Sequence, residues 1–162
     1  MIRGNKKAKG AGPIELGSPL TGQLIGLEEV GDEVFSQRIL GDGVAVRPVV
    51  GQLYAPAAGR IEQVFETAHA LTLVTEQGAE LLLHVGIDTV QLKGRFFTVH
   101  VKAGDRVALG DLLVTFDREG IAGAGFDTTT PMIVSNLSDY TVEVLASGAV
   151  NKGQPVLRLC RR

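Results

Sequence analysis

The chain has 162 residues, of which 44% are apolar, and a formal net charge of −2 at neutral pH. This length suits one domain with a substantial core, and the balanced charge argues against nucleic acid as an electrostatic partner. No apolar run approaches the roughly 20 residues that a membrane-spanning helix needs. The single cysteine, Cys160, excludes a disulfide within one chain, which fits a cytoplasmic protein.

Residues 1–17 are rich in Gly and Lys and show no hydrophobic periodicity. We therefore predict a flexible tail or linker over 1–17, followed by one domain over 18–162. No apolar stretch follows the charged start, so this segment is not a secretion signal.

From residue 18 onward the sequence alternates short apolar runs with turns, and two patterns recur. SPLTGQLIGL (18–27) and APAAGRIEQV (55–64) share small-Pro-x-x-Gly-x-aliphatic, and GDRVALGDLL (104–113) and GAVNKGQPV (148–156) share Gly-x-Val-x-x-Gly, with GDEV (31–34) as a shorter instance. Repetition of both patterns predicts an internally duplicated, all-β antiparallel sandwich or barrel-sandwich with little helix. Only 117–126 admits a helical turn, because its three glycines disfavour a longer helix.

The segment 65–94 predicts a β-hairpin that carries two histidines, His69 and His84. Two apolar runs flank Gln77-Gly78, and a two-residue loop there would place His84 opposite Leu71, with His69 diagonal to it on the same face. A Glu76-Gln77 loop would place the histidines directly opposite each other. A three-residue loop would separate them onto opposite faces, because side chains alternate along a strand.

Two imidazoles on one apolar face admit three interpretations. In the first, they are core histidines whose hydrogen bonds are satisfied within the protein. In the second, they are metal ligands, although zinc needs three or four ligands and only two histidines converge. Alternatively, one imidazole is a nucleophile towards phosphorus and the other steadies the transferred group. An apolar surround would protect a phosphohistidine from water, and the candidates for it are Phe65, Leu71, Leu73 and Leu82. Spacing alone leaves all three open.

Several motifs are shared with one known family. FETAHALTL (65–73), LLLHVGIDTVQLKG (81–94) and GDGVAVRP (41–48) closely resemble the glucose-type IIA component of the bacterial sugar phosphotransferase system. TPMIVSN (130–136) and ASGAVNKGQPVLRL (146–159) match the closing segments of that family. The resemblance covers about residues 16–160.

The resemblance implies a β-sandwich phosphotransferase with a duplicated motif and no cofactor or metal. His84 would accept a phosphoryl group on Nε2 from the phosphohistidine carrier protein HPr and pass it to a cysteine on the IIB domain of a sugar permease. His69 would stabilise the group without carrying it, and Thr67 would orient His69 by a hydrogen bond.

The resemblance also implies a docking face around these histidines. Asp42 and Asp88 match acidic residues at the rim of the family's interaction face, where they would meet partner arginines. Val44 and Val90 would help to form the apolar patch around the site. His100 matches no histidine of the family and is read as a surface strand residue.

Two other functions have partial sequence support. Related duplicated β folds hold zinc peptidases, but these need a His-x-His pair, which the chain lacks; a weak zinc site shared with a partner's carboxylate stays open. APAAG and VKAGDRVALGD suggest a biotinyl or lipoyl carrier, but that function needs a lysine within a Met-Lys-Met turn, which is also absent.

Overall fold

Short antiparallel strands make up most of the chain in the computed structural model, which describes residues 12–162. Its strands are β1 Ile14–Gly17, β2 Gly22–Gly26, β3 Asp42–Pro48, β4 Gln52–Tyr54, β5 Gly59–Val64, β6 Ala70–Thr75, β7 Glu80–His84, β8 Phe97–Val99, β9 Arg106–Val107, β10 Leu112–Phe116, β11 Thr130–Val134, β12 Tyr140–Val144, β13 Gly148–Val150 and β14 Pro155–Arg161. The predicted all-β class is confirmed.

Helical structure is limited to short pieces. Helix α1 spans Glu33–Ser36 and helix α2 spans Arg118–Gly123, and single 3-10 turns occupy Leu27–Glu29 and Thr89–Leu92. Helix α2 lies where the sequence admitted a helical turn, and the side chain of Asp117 caps it by accepting a hydrogen bond from the Gly120 amide. Within residues 12–162, none of the helices has the length and apolar character to cross a bilayer.

The strands form three sheets. The largest has eight strands in the order β13-β2-β3-β11-β7-β6-β5-β9, and two three-stranded sheets have the orders β1-β14-β12 and β4-β10-β8. The main core contains side chains from all three, because alternate residues of each strand turn inward. Examples are Val44 and Val46 of β3, Leu71 and Leu73 of β6, Leu113 of β10, and Leu157 and Leu159 of β14.

The sequence duplication is visible in the hydrogen bonds. The amide of Ser18 donates to the carbonyl of Gln154, and the amide of Ala55 donates to that of Asp111, both at 2.8 Å. In β2 and β5 the matching glycines, Gly22 and Gly59, both lie so close to the next strand that a Cβ would come within about 2.2 Å of a carbonyl oxygen. The two repeats therefore adopt the same local structure.

The structure corrects two predictions, one for the start of the domain and one for the turn repeat. Ile14–Gly17 lie in the predicted tail but form β1, which pairs with β14 and places Ile14 opposite Leu159. The rest of the predicted tail, residues 1–11, is outside the described residues. The GDEV motif is not a third turn of the repeat: Asp32 caps α1, accepting a hydrogen bond from the Val34 amide at 2.8 Å.

A second, smaller apolar cluster lies on the outer face of the eight-stranded sheet. Ile25, Ala45, Ile133 and Leu82 come from four neighbouring strands and share that face by register. Phe35 of α1 packs into the same cluster, together with Leu27, Val30 and Ile87. His84 follows Leu82 by two residues on β7 and so lies on this outer face.

The opposite end of the β6–β7 hairpin is held by the three-stranded sheet β1-β14-β12 and by Asn136. The carbonyl of Gln77 accepts hydrogen bonds from the Tyr140 hydroxyl and the Arg161 guanidinium, both at 2.7 Å. The side-chain amide of Asn136 binds the carbonyl of Gly78 and accepts from the amide of Glu80. The hairpin register is thus fixed from outside the hairpin.

Candidate functional site

The two histidines of the hairpin meet on one side of the sheet. The centroids of the His69 and His84 rings are 4.7 Å apart, and the ring planes are nearly perpendicular at 84°. His84 ends β7, opposite Ala70 of β6. His69 lies just before β6, and its carbonyl accepts a hydrogen bond from the Val85 amide at 2.7 Å.

The loop that joins the strands is the three-residue one, which was expected from the sequence to separate the histidines. Thr75 pairs with Ala79 and Leu71 with Leu83, so residues 76–78 form a three-residue loop, with Gly78 at φ +101°. The expectation that such a loop separates the histidines was wrong. Ala68 has a left-handed φ of +63°, which breaks the strand alternation just before β6, so the His69 ring still reaches His84.

One hydrogen bond fixes the chemical state of His84. Its Nδ1 lies 2.7 Å from the carbonyl oxygen of Gly86. A carbonyl can only accept, so Nδ1 carries the proton, and Nε2 keeps its lone pair. Gly86 has a φ of +80°, and a Cβ there would lie 2.5 Å from the Thr89 side chain, so glycine is needed to place this carbonyl.

His69 is oriented in a similar way by its neighbour Thr67. The hydroxyl of Thr67 lies 2.8 Å from His69 Nδ1, the hydrogen bond that the resemblance implied. When the hydroxyl donates to Nδ1, the imidazole proton is on Nε2. The neutral His69 is then a hydrogen-bond donor next to a neutral His84 whose Nε2 carries a free lone pair.

Aromatic rings enclose the pair on two sides. Phe65 meets His69 edge to face at 5.6 Å between centroids, and Phe35 meets His84 at 5.1 Å. Phe65 and Leu82 were expected here, whereas Leu71 and Leu73 belong to the main core on the other face of the sheet. Phe35 was missed from sequence, although Asp32 is a recognisable helix N-cap before it.

The apolar surround keeps both imidazoles neutral. Burial, together with the neighbouring His84, lowers the pKa of His69 to about 4, and a hydrogen bond with the Thr67 backbone only partly opposes this. Burial also lowers the pKa of His84, against the hydrogen bond to Gly86 and the charges of Asp32 and Asp88. At neutral pH, both imidazoles are therefore uncharged.

This depressed pKa predicts a pH-dependent stability. Between pH about 4 and 6.5 the unfolded chain binds a proton at residue 69 that the folded chain does not, so the free energy of unfolding falls as the pH falls through this window. The contribution of His69 is at most about 1.4 kcal/mol per pH unit. Urea unfolding of the parent and of His69→Gln at several pH values measures it as the difference in slope. Equal slopes for the two chains would contradict the buried, neutral His69.

Acidic side chains lie at the edge of the site. Asp32 and Asp88 both act on the charge of His84, and Asp88 is exposed, with a left-handed φ of +61°. Asp42, the other acidic residue expected at the rim, is half-buried and already holds the Nε of Arg38 at 2.9 Å. Asp32 was not identified from sequence.

The apolar part of the surface also differs from the expectation. Val90 is 49% exposed, as a patch residue should be, but Val44 is fully buried in the main core opposite Met132. The prediction for Val44 was wrong because β3 is an inner strand whose even-numbered residues from 44 face inward. Exposed apolar side chains of α1, of the segment after it and of the second 3-10 turn form what we call the apolar rim: Val34, Ile39, Leu40 and Val90.

The remaining polar candidates lie apart from the pair. His100 is exposed, and its Nε2 lies 2.8 Å from the Thr115 hydroxyl on β10. In the part of the chain from residue 12 to 162, no three His, Cys, Asp or Glu side chains are grouped as a metal site would require.

Comparison with known proteins shows which family the chain is similar to. Residues 14–140 match the family described as phosphoenolpyruvate-dependent sugar phosphotransferase system, EIIA 1. The chain is 46% identical to a PTS system glucose-specific EIIA component from Halalkalibacterium halodurans, covering 85% of this chain and 82% of that protein. It is 49% identical to a PTS system beta-glucoside-specific EIIBCA component from Dickeya chrysanthemi, of which it spans only 23%. The solved glucose permease IIA from Mycoplasma capricolum aligns with a TM-score of 0.87 and 37% identity, over 91% of this chain and 96% of that one.

Proposed function

The chain belongs to the EIIA 1 family of the phosphoenolpyruvate-dependent sugar phosphotransferase system, and from this premise we propose that it is a phosphoryl relay in sugar uptake. It accepts the phosphoryl group from phospho-HPr on His84 and passes it to a cysteine of a permease IIB domain. The observation that carries this proposal is the neutral His84, whose Nδ1 is held by Gly86 and whose ring lies 4.7 Å from that of His69.

Acceptance begins with the lone pair on His84 Nε2. This lone pair forms the new N–P bond while the N–P bond of the donor histidine breaks, and that electron pair stays on the donor nitrogen. The proton on His84 Nδ1 stays on the ring, where the Gly86 carbonyl favours the positive charge that phosphorylation creates. No proton has to leave, so the step needs no separate base.

His69 stabilises the transferred group as a neutral donor. Its Nε2–H, set by the Thr67 hydroxyl on Nδ1, donates to a phosphoryl oxygen as negative charge moves during transfer. A pKa of about 4 keeps the ring uncharged. A neutral donor holds the group less tightly than an imidazolium would, and a relay needs the group to leave again.

Release reverses these events on a second partner. A cysteine thiolate attacks phosphorus, the N–P bond breaks, and the electron pair returns to His84 Nε2. Between the two steps the packing of Phe35 and Phe65 on the imidazoles limits the access of water, which would otherwise hydrolyse the phosphohistidine.

Both partners dock on the same surface in turn. The apolar rim supplies a small hydrophobic contact, and Asp32 and Asp88 supply negative charge that speeds the encounter with basic partners. An interface of this kind suits brief complexes at the small end of the range for specific ones. The docking residues proposed are therefore Val90, Asp88 and Asp42 from the sequence, and Asp32, Val34, Ile39 and Leu40 from the structure.

The names of its relatives support a proposal for the setting of the domain. The beta-glucoside-specific relatives are named EIIBCA components and are about four times as long as the matched region (their names support a sugar permease as the partner). We propose a cytoplasmic domain that serves such a permease from the membrane surface, and that residues 14–161 constitute the IIA domain.

A reconstituted relay tests the function. Phosphoenolpyruvate, enzyme I and HPr should label the chain with an acid-labile phosphoryl group, and adding an isolated IIB domain should remove it. A chain that is not labelled by phospho-HPr, or that keeps its label when IIB is added, would contradict the relay.

A further inference from the structure

Arg38 has an unusual backbone conformation just after α1. Its amide donates to the carbonyl of Phe35 at 3.0 Å, and the next amide, that of Ile39, donates to Val34 at 3.1 Å. These two hydrogen bonds end helix α1, and Arg38 itself is in the left-handed region, with φ +57°. Glycine is the usual residue at this position because a Cβ there is strained.

The side chain of Arg38 joins three elements. Its Nε lies 2.9 Å from an Asp42 oxygen at the start of β3, and its Nη2 lies 3.2 Å from a Glu28 oxygen in the first 3-10 turn. These ion pairs offset the backbone strain. A planar guanidinium can bind two carboxylates at once through separate N–H groups, which neither glycine nor lysine does in the same way.

The stability of helix α1 depends on tertiary contacts of this kind. It has only four residues, Glu33–Ser36, too few to be stable without tertiary contacts. Its one buried side chain is Phe35, and the Phe35 ring is the aromatic contact of His84, at 5.1 Å. The position of this ring therefore follows the position of α1.

We propose that Arg38 is a positioning residue for phosphoryl transfer: by bridging Glu28 and Asp42, it fastens α1 to the sheet and holds Phe35 against the His84 imidazole. This inference rests on the proposed function for its kinetic consequence, but its structural part does not need any partner. When the bridge is lost, α1 loosens, and water gains access to His84. The exposed Ile39 and Leu40 of the apolar rim follow Arg38 directly and lose their fixed position as well.

Two variants separate the guanidinium from the backbone turn. Arg38→Gln removes both ion pairs and keeps the strained left-handed residue, whereas Arg38→Gly removes both and relieves the strain. Arg158→Gln is the matched control, because Arg158 bridges Glu15 at 3.1 Å and Glu143 at 3.3 Å with a similar exposure but lies on β14.

The contact itself is measured by NMR without any partner. Nuclear Overhauser effects between the Phe35 and His84 ring protons should weaken in both Arg38 variants, and the measured pKa of His84 should rise towards its ordinary value because burial is what lowers it. Arg158→Gln should leave both unchanged. We expect Arg38→Gly to be the more stable of the two Arg38 variants, since Gly favours the left-handed turn.

The kinetic readout is the rate of phosphoryl acceptance. In the two Arg38 variants, kcat for labelling by phospho-HPr should fall about three- to tenfold, the range that the loss of two surface ion pairs allows. Removing a positive charge makes the rim more attractive to a basic partner, so an effect of Arg38 on encounter alone would lower KM and leave kcat unchanged. That result, or full Phe35–His84 contact in either variant, would overturn the proposal. Failure of the parent chain to be labelled would contradict the proposed function and leave the NMR result standing.

Discussion

His84→Asn should accept no phosphoryl group from phospho-HPr, a loss of at least about a thousandfold relative to the parent. The asparagine amide can still donate to the Gly86 carbonyl, as His84 Nδ1 does at 2.7 Å, so the local turn is preserved. It has no nitrogen lone pair that can attack phosphorus. The loss therefore reports on the nucleophile and not on the fold.

Rapid-quench labelling with phospho-HPr measures this loss, and thermal unfolding checks that the variant is folded. His100→Gln is the matched control, since His100 is exposed and hydrogen-bonded to Thr115 on a different sheet, and it should be labelled as well as the parent. Labelling of His84→Asn at the parental rate would show that the assignment of the acceptor is wrong, and would point to His69 instead.

His69→Gln should divide the relay into a step that survives and a step that fails. Acceptance needs the Nε2 lone pair of His84, which this variant keeps, so labelling by phospho-HPr should continue. Transfer to a IIB cysteine should fall by about a hundredfold to a thousandfold, the usual effect of losing one preorganised donor. The glutamine amide can donate, but its side chain has three rotatable bonds and lacks the contact with Thr67 that holds the imidazole.

The two steps are measured separately in single-turnover experiments. Purified phospho-protein is mixed with IIB, and the disappearance of the label is followed for the parent and for His69→Gln. Thr67→Val serves as a second variant: it keeps the imidazole but removes the hydroxyl at 2.8 Å from Nδ1, so transfer should be slowed less than in His69→Gln. Normal transfer from His69→Gln to IIB would be incompatible with the role given to His69.

The sequence sufficed for the fold class, because strand-length apolar runs, turn glycines and two repeats all indicate the same architecture. It also identified His69, His84 and Thr67 as neighbours, through motifs that resemble one family. The loop length was not predicted, since Gln77-Gly78 suits both a two-residue turn and a three-residue loop with Gly78 last. The compensating feature, a left-handed Ala68, has no signal in the sequence because alanine rarely adopts that conformation.

Two other predictions from the sequence failed because the sequence carries too little information about local structure. Val44 was placed on the surface because a motif does not say which way a strand residue faces, and only the pairing of β3 between β2 and β11 decides it. Phe35 was overlooked because GDEV was assigned to a turn repeat. A helix of four residues is too short for hydrophobic periodicity, so the N-cap Asp32 was the only local signal.

The pairing of β1 with β14 determines how the domain can be attached to other polypeptides. Ile14 lies beside Leu159, and Arg161 binds the 76–78 loop, at the end of the hairpin remote from the imidazoles. His84 follows Gly78, the last residue of that loop, by six positions, which is about 20 Å along a strand. Polypeptide joined at either end would thus leave the histidine face uncovered. A circular permutant that joins the two ends through a short Gly/Ser linker should therefore keep the site intact.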